Sequence, residues 1–181
     1  MTDNDTQTTV ELWVRSFAPT VTSEKHERAL ECVNRLEDRS GVESVSVRVW
    51  GRAFERTERA RRIPHLEEIA TTIERFETWA DRTGRSLEPF FRTRHVESKI
   101  TGDAADVCRL PTLALAEYRG ETLSHLAPSM EDERTVTVLD RLEALLSGEI
   151  EPAPTDERVP SFGDRSEEPT ERSRKRLESS Q

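Results

Sequence analysis

Along residues 10–17, VELWVRSF, apolar and polar positions alternate. Val10, Leu12 and Val14 fall on one side and Glu11, Trp13 and Arg15 on the other, the period of a half-buried strand. The period then changes. After APTVTSEK, residues Leu30, Val33 and Leu36 recur at helical spacing, with Thr22 or Ser23 as the cap. Glu24 and Glu27 sit near the positive end of that helix, and Gly41 is expected to supply its left-handed stop. VESVSVRVWG returns to period two, with Val45, Val47 and Val49 facing one way and Ser44, Ser46, Arg48 and Trp50 the other. Strand, helix and strand at this length predict a right-handed crossover and a parallel pair. GRAFERTERARRIP, residues 51–64, follows neither period and reads as a loop or irregular segment ended by Pro64.

The next helix spans 65–84, with Leu66, Ile69, Ile73, Phe76 and Ala80 on one face, Trp79 beside them and Gly84 as the stop. FFRTRHVESKITG alternates weakly and reads as a strand with Val96 and Ile100 inward; DAADVCRL has room for one helical turn. RLPTLALAEYRGETLSHLAP is a proline-led hairpin turning at Gly120. A last helix carries Val138, Leu139, Leu142, Leu145 and Leu146 before Gly148. The pattern divides the chain into a disordered start (1–8), one α/β domain (9–149) and a charged disordered tail (150–181).

Composition sharpens this division. Only 33% of residues are hydrophobic while 35% are charged, so part of the chain cannot bury enough apolar surface to offset ordering. No apolar run reaches the length of a membrane span, and MTDNDTQTT lacks the layout of a signal peptide, so a cytoplasmic location is expected. Of 27 cationic side chains only Lys25, Lys99 and Lys175 are lysines, leaving 24 arginines, and the net charge is −9. That combination resembles the proteome of a salt-loving archaeon, in which acidity maintains solubility and does not argue against a polyanionic partner.

Charge is sorted along the chain. Arg48, Arg52, Arg56, Arg59, Arg61 and Arg62 against Glu55 and Glu58 give residues 48–62 a net +4. Arg82, Arg85, Arg92, Arg94 and Lys99 against Glu88 and Glu97 give residues 82–99 a net +3. The planar arginine fork suits phosphate, and Trp50, Phe54, Phe90 and Phe91 lie in or beside these segments as stacking surfaces. Arg48, Arg52, Arg56, Arg59, Arg61, Arg62, Arg92 and Arg94 are therefore the candidate nucleic-acid or anion-binding residues. The bland alternative is that these arginines pair with neighbouring carboxylates and the aromatics are core.

Chemistry of other kinds finds no support. Cys32 and Cys108 lack CxxC spacing, and Cys32 fits a helix core. His26, His65, His95 and His125 show no metal-ligand spacing. There is no GxSxG, no phosphate-cradling glycine loop and no marked carboxylate pair. No enzyme, metal or cofactor is expected.

The element order resembles the thioredoxin fold, a βαβ unit followed by ββα, in a mixed sheet with flanking helices. Leu110, Pro111 and Thr112 sit where that family places its cis-proline, and they are the candidate partner-binding residues. The position of the family's cysteine pair reads SFAPTVTSEK, so the resemblance implies a redox-inactive relative. The segments ELWVRS, FETWADRTGRSLEPFF and LALAEY also resemble a family of small haloarchaeal proteins of unknown function, some labelled helix-turn-helix. That likeness covers residues 10–148. Two functions fit these readings: a non-enzymatic regulatory protein binding nucleic acid or another polyanion through its arginines, and a thioredoxin-like adaptor binding a protein partner at Pro111.

Overall fold

The computed structural model describes residues 7–15, 23–97, 102 and 104–148. Its elements run β1 (Thr8–Val14), α1 (Glu24–Leu36), β2 (Val42–Val49), β3 (Ala53–Arg56), α2 (Glu58–Arg61), α3 (Pro64–Thr83) and β4 (Arg92–Glu97). They continue with β5 (Ala104–Arg109), β6 (Leu113–Arg119), β7 (Thr122–Ala127), β8 (Ser129–Glu131), β9 (Arg134–Val136) and α4 (Val138–Ser147). The expected disordered ends lie almost wholly outside the described residues, although Thr8 is already the first residue of β1.

The main sheet has the order β2-β1-β6-β7. β1 runs parallel to β2, with Val10 opposite Val45 and Leu12 opposite Val47, and antiparallel to β6. Both faces are covered, which is why β1 carries apolar residues on each side. Val10, Leu12 and Val14 pack with Ala29, Cys32, Val33 and Leu36 of α1 and with Val138, Leu142 and Leu145 of α4. On the opposite face Trp13, Ala114, Ala116 and Tyr118 meet Ile69, Ile73, Phe76 and Trp79 of α3. The small alanines of β6 leave room there for the indoles, and Trp13 and Trp50 stack with centroids 5.2 Å apart. Each buried indole N–H has an acceptor: Trp13 donates to Glu11, Trp50 to the Pro111 carbonyl and Trp79 to the Ser124 carbonyl.

Several expectations are corrected. DAADVCRL is no helical turn. Ala104–Arg109 forms the central strand of a second antiparallel sheet, β3-β5-β4, because strands pair with it on both sides. The segment read as irregular supplies β3 and the single-turn α2, whose start is capped by the Thr57 hydroxyl accepting from the Ala60 N–H. Val96 faces solvent at 50% exposure, since β4 is an edge strand; Ile100 lies outside the described residues. Gly41 has a left-handed φ of 96°, but it follows the end of α1 by several residues and turns the chain into β2. At α3, by contrast, Gly84 (φ 70°) is the left-handed cap. Val47 and Val49 remain more than a third exposed, because β2 ends the sheet. The cis peptide bonds among the described residues precede Pro89 and Pro128, so Leu110–Pro111 is not one of them. Cys32 and Cys108 are both buried and free, and burial pushes the Cys108 thiol up, away from the reactive thiolate.

One buried charge pair escaped the sequence. Glu117 on β6 and Arg141 on α4 are 2% and 6% exposed and meet in a two-pronged contact of 2.6 and 2.9 Å. It joins α4 to the middle of the sheet.

Candidate anion-binding cleft

At one end of the main sheet three chain segments are held together by backbone bonds. The Arg15 N–H donates to the Thr112 carbonyl, the Trp50 N–H to Val14 and the Leu110 N–H to Arg52. The Trp50 indole adds a bond to Pro111. These contacts fix the exit of β1, the β2–β3 connection and the approach to β6 at one place, where the second sheet abuts. Between them lies a cavity of about 320 Å3 lined by Arg15, Arg52, Arg92, Arg94 and Arg109, with Ala53, Val96 and Val107 as its apolar lining.

Strand register explains the convergence. Arg109 of β5 stands opposite Arg92 of β4 on one side and Ala53 of β3 on the other, while Arg94 stands opposite Val107. Alternation sends Arg92, Arg94 and Arg109 to the same face and turns Phe54 and Cys108 into the core. Glu55 shares the arginine face opposite Val107. Among the described residues no ion pair is recorded between any of the five arginines and a carboxylate.

Arg15 is the most constrained member. Its Nη2 donates to the Leu110 carbonyl at 2.6 Å, while its Nε is buried without an acceptor. Burial lowers its pKa below the ordinary arginine value, and the positive charges of Arg52 and Arg109 lower it further. The same field, behind the effect of burial, helps hold His26 on the first turn of α1 below the ordinary histidine range.

The eight arginines singled out from the sequence divide. Arg52, Arg92 and Arg94 meet in the cleft. Arg48 binds Glu68 and lies over the Trp13 ring, Arg56 binds Glu77 at 2.5 Å and Arg61 binds Glu74 at 2.8 Å. Those three are partnered with carboxylates of α3, as the bland alternative held. Arg59 and Arg62 are exposed on and just after α2, away from the cavity. Arg15 and Arg109 were missed because they lie outside the two charge-dense windows; Arg15 closes an alternating strand, whereas Arg109 sits in a segment read as a helical turn and gave no signal. Of the proposed stacking residues, Trp50, Phe54 and Phe91 are core, while half-buried Phe90 stays at the surface. Phe90 lines an adjoining depression of about 300 Å3 with Pro89, Leu110, Pro111 and Thr112, and this depression shares Arg15, Arg92 and Arg109 with the cleft. Leu110 is itself buried, leaving Pro111 and Thr112 half-buried at the rim.

Among the described residues no cluster of histidine, cysteine and carboxylate side chains is arranged to hold a metal ion, and no helix is long and apolar enough to cross a membrane. A helix-turn-helix joins two helices by a turn of about three or four residues. The closest approach to that here is α2 and α3, joined by Arg62 and Ile63, with α2 only four residues long. No curated protein and no solved structure gives a significant match. The family comparison does: residues 2–149 match the model described as a helix-turn-helix domain, and with most of its length so matched the chain belongs to that helix-turn-helix domain family.

Proposed function

We propose that the protein is a non-enzymatic regulatory protein that binds nucleic acid through the cleft of Arg15, Arg52, Arg92, Arg94 and Arg109. The observation that carries this reading is the convergence of five guanidiniums on one cavity with no carboxylate paired to them among the described residues. Charges normally acquire partners or solvent; a cluster in which burial, then Arg52 and Arg109, lower the pKa of Arg15 is best relieved by an anion. Family membership supports the same ligand class. The arginine-rich, acidic composition supports a cytoplasmic setting in a salt-loving archaeon, where screening weakens each phosphate contact and several must act together. Fluorescence anisotropy with single-stranded and duplex oligonucleotides tests this directly. Reversing Arg52, Arg92 and Arg109 to Glu is expected to abolish binding, and unchanged binding refutes the reading.

A second reading rests on a separate observation. The order β2-β1-β6-β7, with α1 and α4 on one face and α3 on the other, supports a thioredoxin-like arrangement in which Pro111 precedes the first strand of the closing hairpin. On that reading the chain is a redox-inactive adaptor presenting Pro111 and Thr112 to a protein partner. Loss of a defined partner on changing Pro111 or Thr112, with nucleic-acid binding intact, favours it over the first.

A further inference from the structure

The cleft concentrates charge at a point. Arg92, Arg94 and Arg109 share one sheet face, and Arg15 and Arg52 close the same cavity from the end of the main sheet. The neighbouring arginines do not extend the cavity, because Arg48, Arg56 and Arg61 are held by Glu68, Glu77 and Glu74, and Arg59 and Arg62 do not line it. Proteins that follow a duplex spread contacts over many phosphates, each a diester with one charge. A phosphomonoester instead carries about −1.5 to −2 charges and three strong acceptor oxygens on one atom. That is the group a convergent set of forked donors matches.

What lies beside the cleft extends the match. The adjoining depression continues from Arg15, Arg92 and Arg109 to Pro89, Phe90 and Pro111, so an apolar and aromatic surface begins where the cationic one ends. A phosphate in the cleft places the group attached to it over that surface, and an aromatic face accepts any base by stacking. Building on nucleic-acid binding as proposed above, we infer that the cleft takes the terminal phosphomonoester of a single strand, with the end nucleotide's base against Phe90 and Pro111. The ligand is thus a strand end, and the interior of a duplex is a poor one.

The test compares one short single-stranded sequence bearing a 5′-phosphate, a 3′-phosphate or hydroxyls at both ends, together with the hydroxyl-ended duplex. One phosphorylated form is expected to bind about tenfold or more tighter than the hydroxyl form, the ratio that a single added charge-assisted hydrogen bond supplies. Which end it is identifies the strand polarity. A nucleoside monophosphate should compete, and Arg92→Ala with Arg109→Ala should erase the preference without lowering the melting temperature. Arg59→Ala with Arg62→Ala, which do not line the cleft, should leave it intact. Equal binding of phosphorylated and hydroxyl strands overturns the end-recognition inference while nucleic-acid binding stands. Binding of no strand overturns both. Competition by a phosphoserine peptide as strong as that of the mononucleotide also overturns it, assigning the cleft to phosphoproteins.

Discussion

Replacing Arg52 and Arg109 by Gln should make the protein more stable and a worse binder at once. Both side chains are exposed, so no packing is lost, and both charges weigh on the guanidinium of Arg15. Exposed charge pairs are worth about 0.2–1 kcal/mol each, and repulsions are of the same size as attractions. Removing two repulsions therefore stabilises by up to about 2 kcal/mol at low ionic strength. In a chain of this size each kcal/mol raises the melting temperature by about 2–4 °C. At about 1 M salt the Debye length shrinks to about 3 Å and the gain should vanish. Binding moves the opposite way. Each charge-assisted hydrogen bond lost from an exposed site costs about 1.5 kcal/mol, close to tenfold in affinity. The slope of log K against log salt should flatten by up to about 0.7 per lost phosphate contact on a single strand. Calorimetric melts at two salt concentrations and a salt titration of anisotropy read both effects. A variant that melts lower than the parent at low salt refutes the reasoning, since it means the two arginines stabilise the fold through contacts of their own. A variant with unaltered affinity removes the cleft from function.

Two further expectations concern the interior. Burial, and secondarily Arg15, depress the His26 pKa, so the folded protein favours the neutral imidazole. The stability this provides is fully present above the unfolded value of about 6.5 and is lost as pH falls from there through the lowered folded value; His26→Gln should remove that slope in urea titrations between about pH 7.5 and 5.5. Arg141→Met strips the two-pronged partner from buried Glu117 and should cost about 3–5 kcal/mol in urea unfolding, whereas Glu117→Leu together with Arg141→Met should recover most of it. A double variant as unstable as the single one refutes the pair as the source of the loss.

The elements legible in the sequence were those with a period long enough to declare one buried face. α1, α3 and α4 each present a full apolar stripe, β1 and β2 alternate over seven or eight residues, and β6 carries a run of leucines and alanines. The second sheet was illegible for the opposite reason. β3 is four residues long, β4 is exposed throughout, and β5 is a strand because two others pair with it. Pairing across the chain, not local propensity, decides such segments. The same range limit governed the site. A charge count sees Arg48, Arg56 and Arg61 beside Arg52, but not that Glu68, Glu77 and Glu74 return on the exposed side of α3 to bind them. Nor does it see that Arg15 and Arg109, far apart in sequence, are brought to one cavity by the bonds linking Arg15 to Leu110 and Thr112.

These placements bear on how a member of a helix-turn-helix family would meet nucleic acid. The helix that would serve for recognition, α3, follows a first helix of only one turn, and its apolar stripe is buried against the main sheet. Its outer side carries Glu67, Glu68, Glu74 and Asp81 against Arg75 and Arg82, and Arg48 and Arg61 are engaged there in ion pairs with Glu68 and Glu74. Laid into a groove, that surface would set more carboxylates than arginines against phosphates, a net cost in free energy. α1 offers little better, its exposed Glu24, Glu27 and Glu31 offsetting Lys25, Arg28 and Arg35. Five arginines converge instead at the end of the main sheet, on strands and connections whose backbones are bonded to one another, with Arg15 also held by the Leu110 carbonyl. On the proposed function, recognition would therefore be a property of that sheet end, and exchanging the exposed carboxylates of α3 for neutral residues should leave binding by the cleft in place.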